Sequence, residues 1–283
     1  MLKLSVIIPT YQRAETLQTC IEHLSKQTIS EHIEVIVVSD GHDEKTVNAI
    51  KEMEDKIQVP IFFYEIPKSQ QGVARNFGVA KAKSPICLFI GDDIFLDHKA
   101  CEKHMEAHKD AGDIAVLGFT TWDTEMEITP VMKWLEISGW QFAYPKIKKY
   151  KKSFLPSKTQ HQFSYTSHIS VPTHIALKYP FKIDTTLYGW EDIEWGEKLK
   201  QNGIPLFYEP DAKALHHHHI SLQESISRMQ VLGESIVQFK NTDRFPRLWK
   251  RTLIKISTLI RPSSFASMHR KAFLNGIKIA QKK

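Results

Sequence analysis

Over roughly the first 120 residues, short β-branched runs alternate with stretches of helical period. Strands are predicted at 4–9, 33–39, 61–66, 86–90 and 114–119. Between them lie amphipathic segments such as AETLQTCIEHLSKQ, residues 14–27. Strands alternating with helices predict an α/β fold with a mostly parallel sheet covered by helices on both faces. In such sheets ligands bind beyond the carboxyl ends of the strands, so polar residues are expected to gather there. They do: Thr10, Tyr11 and Arg13 follow the first predicted strand, Asp40, Gly41, His42 and Asp43 the second, and Asp92 and Asp93 the fourth.

The second half is less regular. An aromatic-rich stretch, 122–165, contains the basic run PKIKKYKKSFLPSK and is predicted as a long mobile loop. A strand-like segment, 205–216, ends in four consecutive histidines, and from residue 220 onward the pattern is helical.

Composition adds an asymmetry. The net charge is +6, yet from Lys240 to the end 12 Lys and Arg stand against one acid. A mildly acidic body thus carries a strongly basic tail. Within it Trp249, Leu253, Ile256 and Ile260 recur at helical spacing beside Lys250, Arg251, Lys255 and Arg261, as in a helix lying on an anionic membrane surface. The rival expectation is a helix packed on the rest of the chain. No base-reading module accompanies the basic tail, so nucleic acid is not an expected partner. Three cysteines without metal-type spacing, no signal-like leader and no apolar run of membrane-spanning length predict a cytoplasmic protein, peripheral at most to a membrane.

The sharpest chemical signal is LFIGDDIF, residues 88–95, where an apolar strand runs into two adjacent carboxylates. Side by side they repel unless a cation lies between or beside them. A divalent ion bridging the phosphates of a nucleotide diphosphate would serve, held by one or two carboxylates and completed by phosphate and water. A second acidic pair, Glu191 and Asp192, follows a Gly-Trp bend at the start of a helix. Such acids either complement the helix dipole or act as an acid–base group. In the run His216 to His219, extended backbone places His216 and His218 on one face and His217 and His219 on the other, so one pair can enter a site.

Four segments in order, SVIIPTYQRAETLQTCIEHLSKQT, EVIVVSDGHDEKT, GVARNFGVAKAKSPICLFIGDD and GWEDIEWGEKLKQNG, resemble those of family 2 glycosyltransferases with the GT-A fold. The resemblance covers roughly residues 3–219. It implies a Rossmann-like, mostly parallel sheet flanked by helices, with a nucleotide-sugar half about 1–120 and an acceptor half about 121–219. A basic amphipathic helical extension follows at 220–283. It implies transfer of a sugar from a nucleotide-diphospho-sugar, a UDP-sugar above all, to a glycan or lipid-linked glycan acceptor in surface polysaccharide or lipopolysaccharide synthesis. Mn²⁺ or Mg²⁺ would assist, with inversion at the anomeric carbon.

By that resemblance Asp40 hydrogen-bonds the nucleobase, Thr10 and Tyr11 line its pocket, Arg13 lies on the donor side, and Arg75 approaches the donor. The family's Asp-x-Asp is altered here, because its first position is Gly91. Direct metal coordination is therefore expected from Asp93, with Asp92 on the ribose or the metal shell. His216, or else His218, supplies an imidazole ligand, which favours Mn²⁺. Asp192 is the expected general base and Glu191 orients acceptor hydroxyls; sequence leaves open which of the two takes the proton. Trp122, Trp134, Trp140, Phe142 and Tyr144 offer either a sugar-stacking platform or core, and lysines 146, 148, 149, 151 and 152 either a lid or a solvated loop. The alternatives carried forward are a catalytically silent nucleotide-sugar-binding or scaffold protein of the same fold, and a nucleotidyltransferase.

Overall fold

The computed structural model describes residues 3–54, 56–183, 189–239 and 245–282. The chain divides into two compact units: Met1–Met126, Gly139–Ile183 and Asp192–His218 form the first, and Glu127–Ser138, Asp184–Glu191 and His219–Lys283 the second.

The first unit is built on one sheet. Strands β1 (Leu4–Thr10), β2 (Ile33–Asp40), β3 (Ile61–Ile66) and β4 (Ile86–Ile90) are joined through helices α1 (Ala14–Ser25), α2 (Glu44–Glu54) and α3 (Gln71–Lys81). They lie parallel in the order β3-β2-β1-β4. Every residue of β1, β2 and β4 is buried, as expected of a parallel sheet covered on both faces. β1 and β2 each run one residue past the predicted end, to Thr10 and Asp40, so the last strand residue is itself a site candidate.

Beyond β4 the sheet is mixed. It continues with β5 (Ile94–Leu96), α4 (Ala100–His108) and β6 (Ala115–Trp122), then β7 (Ser153–Phe154), β8 (His168–Pro172), α7 (Thr173–Lys178), α8 (Glu191–Gln201) and β9 (Leu206–His216). Two further helices, α5 (Pro130–Ser138) and α6 (Tyr144–Ile147), fall between β6 and β7. β8 lies antiparallel between β4 and β6, β9 runs parallel to β6, and β5 returns antiparallel along β9.

The predicted long mobile loop at 122–165 is not one. Tyr144, Ile147 and Leu155 are buried anchors within the stretch. Lys152 and Leu155 donate backbone hydrogen bonds to Tyr208 and Leu206 of β9, so the run is stapled to the sheet edge at short intervals. Its lysines 146, 148, 149, 151 and 152 face solvent.

The second unit contains α5 and three C-terminal helices, α9 (Leu222–Ser235), α10 (Leu248–Ile260) and α11 (Phe265–Ala280). α9 begins with a capping box in which Ser221 and Glu224 satisfy each other's backbone amides. α9 and α11 cross in backbone contact: a Cβ on Gly233 would meet the Phe273 carbonyl, and one on Gly276 the Gln230 carbonyl. α10 turns its apolar side outward, with Leu248, Trp249, Leu253, Ile256, Leu259 and Ile260 each more than half exposed. Thr258 is its buried residue.

Candidate active site

The strand ends of the first unit carry the site. β4 stops at Ile90, and a turn closed by the Ile94 amide on the Gly91 carbonyl (3.2 Å) presents Asp92 and Asp93 as its two central residues. Gly91 is required there for space: a Cβ would lie 2.7 Å from Asp93 Oδ1 and 3.3 Å from Ile94. The departure from Asp-x-Asp thus makes room for the second carboxylate.

The cation beside the two acids is a guanidinium. Arg13 Nη1 donates to Asp92 Oδ1 at 3.0 Å and to Asp93 Oδ2 at 2.7 Å, and Nη2 to His218 Nδ1 at 2.8 Å. Thr10 Oγ1 donates to the other oxygen of Asp92 at 2.8 Å, which places Thr10 under the carboxylate. Burial and the neighbouring Asp93 charge raise the Asp92 carboxyl to about 6, against the pull of Arg13 and Thr10. Burial acts on Asp93 too, but the hydrogen bond from His216 and the charge of Arg13 outweigh it and hold this carboxyl well below the usual range. Of the pair, Asp93 is the firmly ionised one.

The histidines arrive on β9. Ile94 of β5 pairs with His216, and the His217 amide donates to the Asp93 carbonyl at 2.8 Å, so the ladder itself sets imidazoles against the acidic turn. His216 Nε2 lies 3.6 Å and His218 Nδ1 3.3 Å from Asp93 Oδ2. Alternation sends His217 elsewhere, to Asp123 Oδ2 at 2.7 Å and onto the ring of Phe95. Trp122 stacks on His216 with ring centroids 5.0 Å apart and fixes its plane.

Ligand atoms of Asp93, His216 and His218 all lie within 4.8 Å of one another. One carboxylate and two imidazoles are a donor set suited to a first-row divalent ion. Nδ1 of His216 is buried with no hydrogen-bond partner among the described residues. The residues fit a divalent metal ion.

A second group forms at the end of β2. Asp40 Oδ1 accepts from the Ser69 amide at 2.6 Å, and Lys68 Nζ stands 3.5 Å from Oδ2. The same Nζ sits 3.1 Å above the half-exposed ring of Tyr11, against which Gly41, at φ +123°, leaves room. Asp40, Tyr11 and Lys68 are thus assembled, whereas Thr10 joins Asp92 instead of this pocket.

Arg75, in the second turn of α3, is buried. Only Nη2 is engaged, donating to Gln71 Oε1 at 3.0 Å, while Nε and Nη1 have no hydrogen-bond partner among the described residues. A buried guanidinium with two idle donors is costly unless an anion meets it.

At α8, Asp192 takes two hydrogen bonds from Thr166, one from Oγ1 at 2.5 Å and one from the amide at 3.2 Å. Glu191, the first residue of that helix, falls in the second unit. The aromatic stretch is divided. Trp122 and Phe142 contact His216, Tyr144 is core and donates to the Gly118 carbonyl, and Trp134 packs on Phe265 and His269 of the second unit. Trp140 is more than one-third exposed. Sequence reasoning passed over Thr166, Lys68, and the Asp123–His217 pair. Only Lys68 carried a signal, as a cation in the polar loop after a parallel strand. A cavity of about 360 Å³ lined by Glu15, His23, Phe95, Asp123 and His217 lies off the acidic turn and contains neither Asp92 nor Asp93.

A parallel half with acids at two strand ends, continued by a mixed half that returns two histidines to the second of them, defines a GT-A-type α/β protein. The chain matches glycosyl transferase family 2 over residues 5–171, more than half its length, and belongs to that family. Validoxylamine A glucosyltransferase of Streptomyces hygroscopicus subsp. jinggangensis is 25% identical over 221 residues, 72% of this chain and 52% of that protein. The chain spans about half the length of these first curated relatives. Among solved structures, the mannosyltransferase PcManGT from Pyrobaculum calidifontis, in complex with GDP-Man and Mn²⁺, superposes with a TM-score of 0.61 at 16% identity, covering 98% of this chain and 75% of that one. S. aureus TarS 1-349 in complex with UDP gives 0.58 at 16% identity, over 93% and 73% of the two chains. These likenesses establish the GT-A fold expected from the sequence.

Proposed function

We propose that the protein is a metal-dependent, inverting glycosyltransferase that moves a sugar from a nucleotide-diphospho-sugar, in the first place a UDP-sugar, to a hydroxyl of a glycan or lipid-linked glycan. The observation that carries this is the convergence of Asp93, His216 and His218 at the end of β4, with donor atoms within 4.8 Å. Asp93, His216 and His218 would hold a divalent ion, Mn²⁺ by preference, and Asp92 would stand beside it. When bound, such an ion supplies positive charge to the departing diphosphate.

The protein's own groups do the rest. Asp40 accepts the ring N–H of uracil while Tyr11 and Lys68 border the base; Arg75 turns its two idle donors on the donor's anionic or hydroxyl oxygens. Asp192, oriented by Thr166, takes the proton of the acceptor hydroxyl as that oxygen attacks the anomeric carbon opposite the leaving group, and one displacement inverts the centre. Solved relatives in complex with UDP and with GDP-Man and Mn²⁺ support a nucleotide-sugar donor.

The acceptor side is supported by α10. Its exposed apolar arc is bordered by Lys250, Arg251, Lys255 and Arg261, a charge pattern complementary to anionic lipid. No helix among the described residues is long and apolar enough to cross a membrane. We therefore place the protein on the cytoplasmic surface of an anionic bilayer, acting on a lipid-linked acceptor of surface-glycan synthesis.

The test is release of free nucleoside diphosphate from a panel of UDP- and GDP-sugars with Mn²⁺ present. Turnover with one donor, abolished by Asp93→Asn and reduced about 10³-fold or more by Asp192→Asn, is expected. Absence of turnover with every donor and mixed glycan acceptors, or an Asp192→Asn variant as active as the parent, refutes it.

A further inference from the structure

We infer that Arg13 is a tethered stand-in for the divalent ion: it occupies the same lone pairs the metal needs, and must leave before the metal can enter. This inference rests on the metal-dependent reading above. A divalent ion binds carboxylate oxygen and imidazole nitrogen at about 2.0–2.2 Å. Arg13 is hydrogen-bonded to two of those atoms, Asp93 Oδ2 at 2.7 Å and His218 Nδ1 at 2.8 Å, and reaches Asp92 Oδ1 with the same nitrogen that holds Asp93. A guanidinium is always charged and only donates. It cannot share those lone pairs with a dication, and at that range the two cations repel.

The geometry also keeps the cluster ready for the exchange. Because Arg13 donates to His218 Nδ1, that nitrogen carries its lone pair inward, the form that ligates a metal. Asp93 Oδ2, Asp92 Oδ1 and His218 Nδ1 are three acceptors turned toward one positive charge. The stand-in can withdraw. Its side chain is 37% exposed, and it follows Gln12, whose φ of 55° turns the chain sharply between β1 and α1.

The consequence is a coupling. A nucleotide diphosphate would offer Arg13 an alternative anion and would add negative charge beside the ion held by Asp93, His216 and His218, so nucleotide and metal would tighten each other reciprocally. Arg13 is a positioning residue in this scheme; it sets the order and cooperativity of loading.

The experiment titrates Mn²⁺ into the full chain by calorimetry and by the electron paramagnetic resonance signal of free Mn²⁺, alone and with saturating UDP or GDP. The parent is expected to bind Mn²⁺ weakly alone and at least tenfold more tightly with the matching nucleotide. Arg13→Gln is expected to bind Mn²⁺ at least tenfold more tightly than the parent without nucleotide, and to lose most of the nucleotide-dependent gain. Lys68→Gln, which removes a charge near Asp40 without touching Asp93, should leave affinity for Mn²⁺ alone unchanged. Circular dichroism verifies folding, and Arg13→Lys, which keeps the charge but loses the fork, should fall between parent and Arg13→Gln. If the folded Arg13→Gln or Arg13→Lys protein binds Mn²⁺ no more tightly than the parent, the inference is overturned while the metal-dependent function stands. If the parent binds no Mn²⁺ in any condition, both fall.

Discussion

Three histidines outside the candidate active site make the first unit sensitive to acid. His104, His108 and His168 are buried around the Ser170 hydroxyl, which lies 2.8 Å from both His104 Nδ1 and His108 Nε2. The rings of His104 and His168 are 5.0 Å apart, and His168 rests against Gly118, where no side chain fits. Nε2 of His104, Nδ1 of His108 and Nε2 of His168 have no hydrogen-bond partner among the described residues. Burial lowers all three: His108 to about 4, His168 to about 3, and His104, with its two histidine neighbours adding to the effect, well below its ordinary value. The folded protein therefore binds fewer protons here than the unfolded chain, whose imidazoles titrate near 6.5. Stability from these groups is present in full above pH 6.5 and is lost as pH falls from 6.5 toward 4.

By linkage the neutral buried imidazoles of His108 and His168 each contribute about 2 kcal/mol less at pH 5 than at neutral pH, so these two remove roughly 4 kcal/mol and His104 acts in the same direction. A typical domain has about 5–15 kcal/mol in all. Denaturant titrations at pH 7.5 and pH 5.0 should show the midpoint of the first unit falling by about half or more, or the unit unfolding outright near pH 5. Imidazole proton resonances should show three histidines that stay neutral through pH 5.5 in the native state. A stability change under about 2 kcal/mol between those pH values, or three imidazoles titrating near 6.5 without loss of structure, would refute the assignment.

Gly91→Ala should fold, because the offending contact is the tip of Asp93, yet weaken Mn²⁺ binding by an order of magnitude or more, read by calorimetry in the presence of UDP. Thr166→Val removes both the hydroxyl donor and part of the orientation of Asp192, so kcat should drop by about 10–100-fold with little change in donor KM. Leu253→Glu with Ile256→Glu should abolish co-flotation with vesicles containing anionic phosphatidylglycerol while leaving donor hydrolysis intact; a parent protein that ignores such vesicles and instead doubles in mass by light scattering would point to self-association. Gly276→Ala should cost about 1–3 kcal/mol in the second unit through overpacking against the Gln230 carbonyl, measured as a lowered melting temperature.

The parallel half was legible because its information is local: β-branched runs alternating with amphipathic stretches fall at β1 to β4 nearly residue for residue, and acids at strand ends mark the site. The mixed half was legible only in part: β6 and β9 fall where strands are predicted at 114–119 and 205–216, but β5 and β8 were not anticipated, and nothing along the chain announced that Ile94 would pair with His216. The histidine alternation was readable from extended geometry, but its destination was not. The loop expectation at 122–165 failed because proline and lysine crowd its basic run, 145–158, while buried apolar residues such as Tyr144, Ile147 and Leu155 anchor the stretch. Thr10 was assigned to the base pocket by the family resemblance; which neighbour a strand-end hydroxyl selects depends on the register of β1 against β4, a long-range property.

The four-histidine run has one more consequence. Side chains on extended backbone repeat every second residue, so loss of one residue from β9 would still bring two imidazoles to the acidic turn, now from the other pair. The same slip would set His218 where His217 now meets Asp123 at 2.7 Å, so the opposite face of the strand would keep its imidazole as well. The tandem repeat makes both faces of the strand tolerant of a one-residue frameshift, and only a second lost residue would bring Ile220 to the place where His218 meets Asp93.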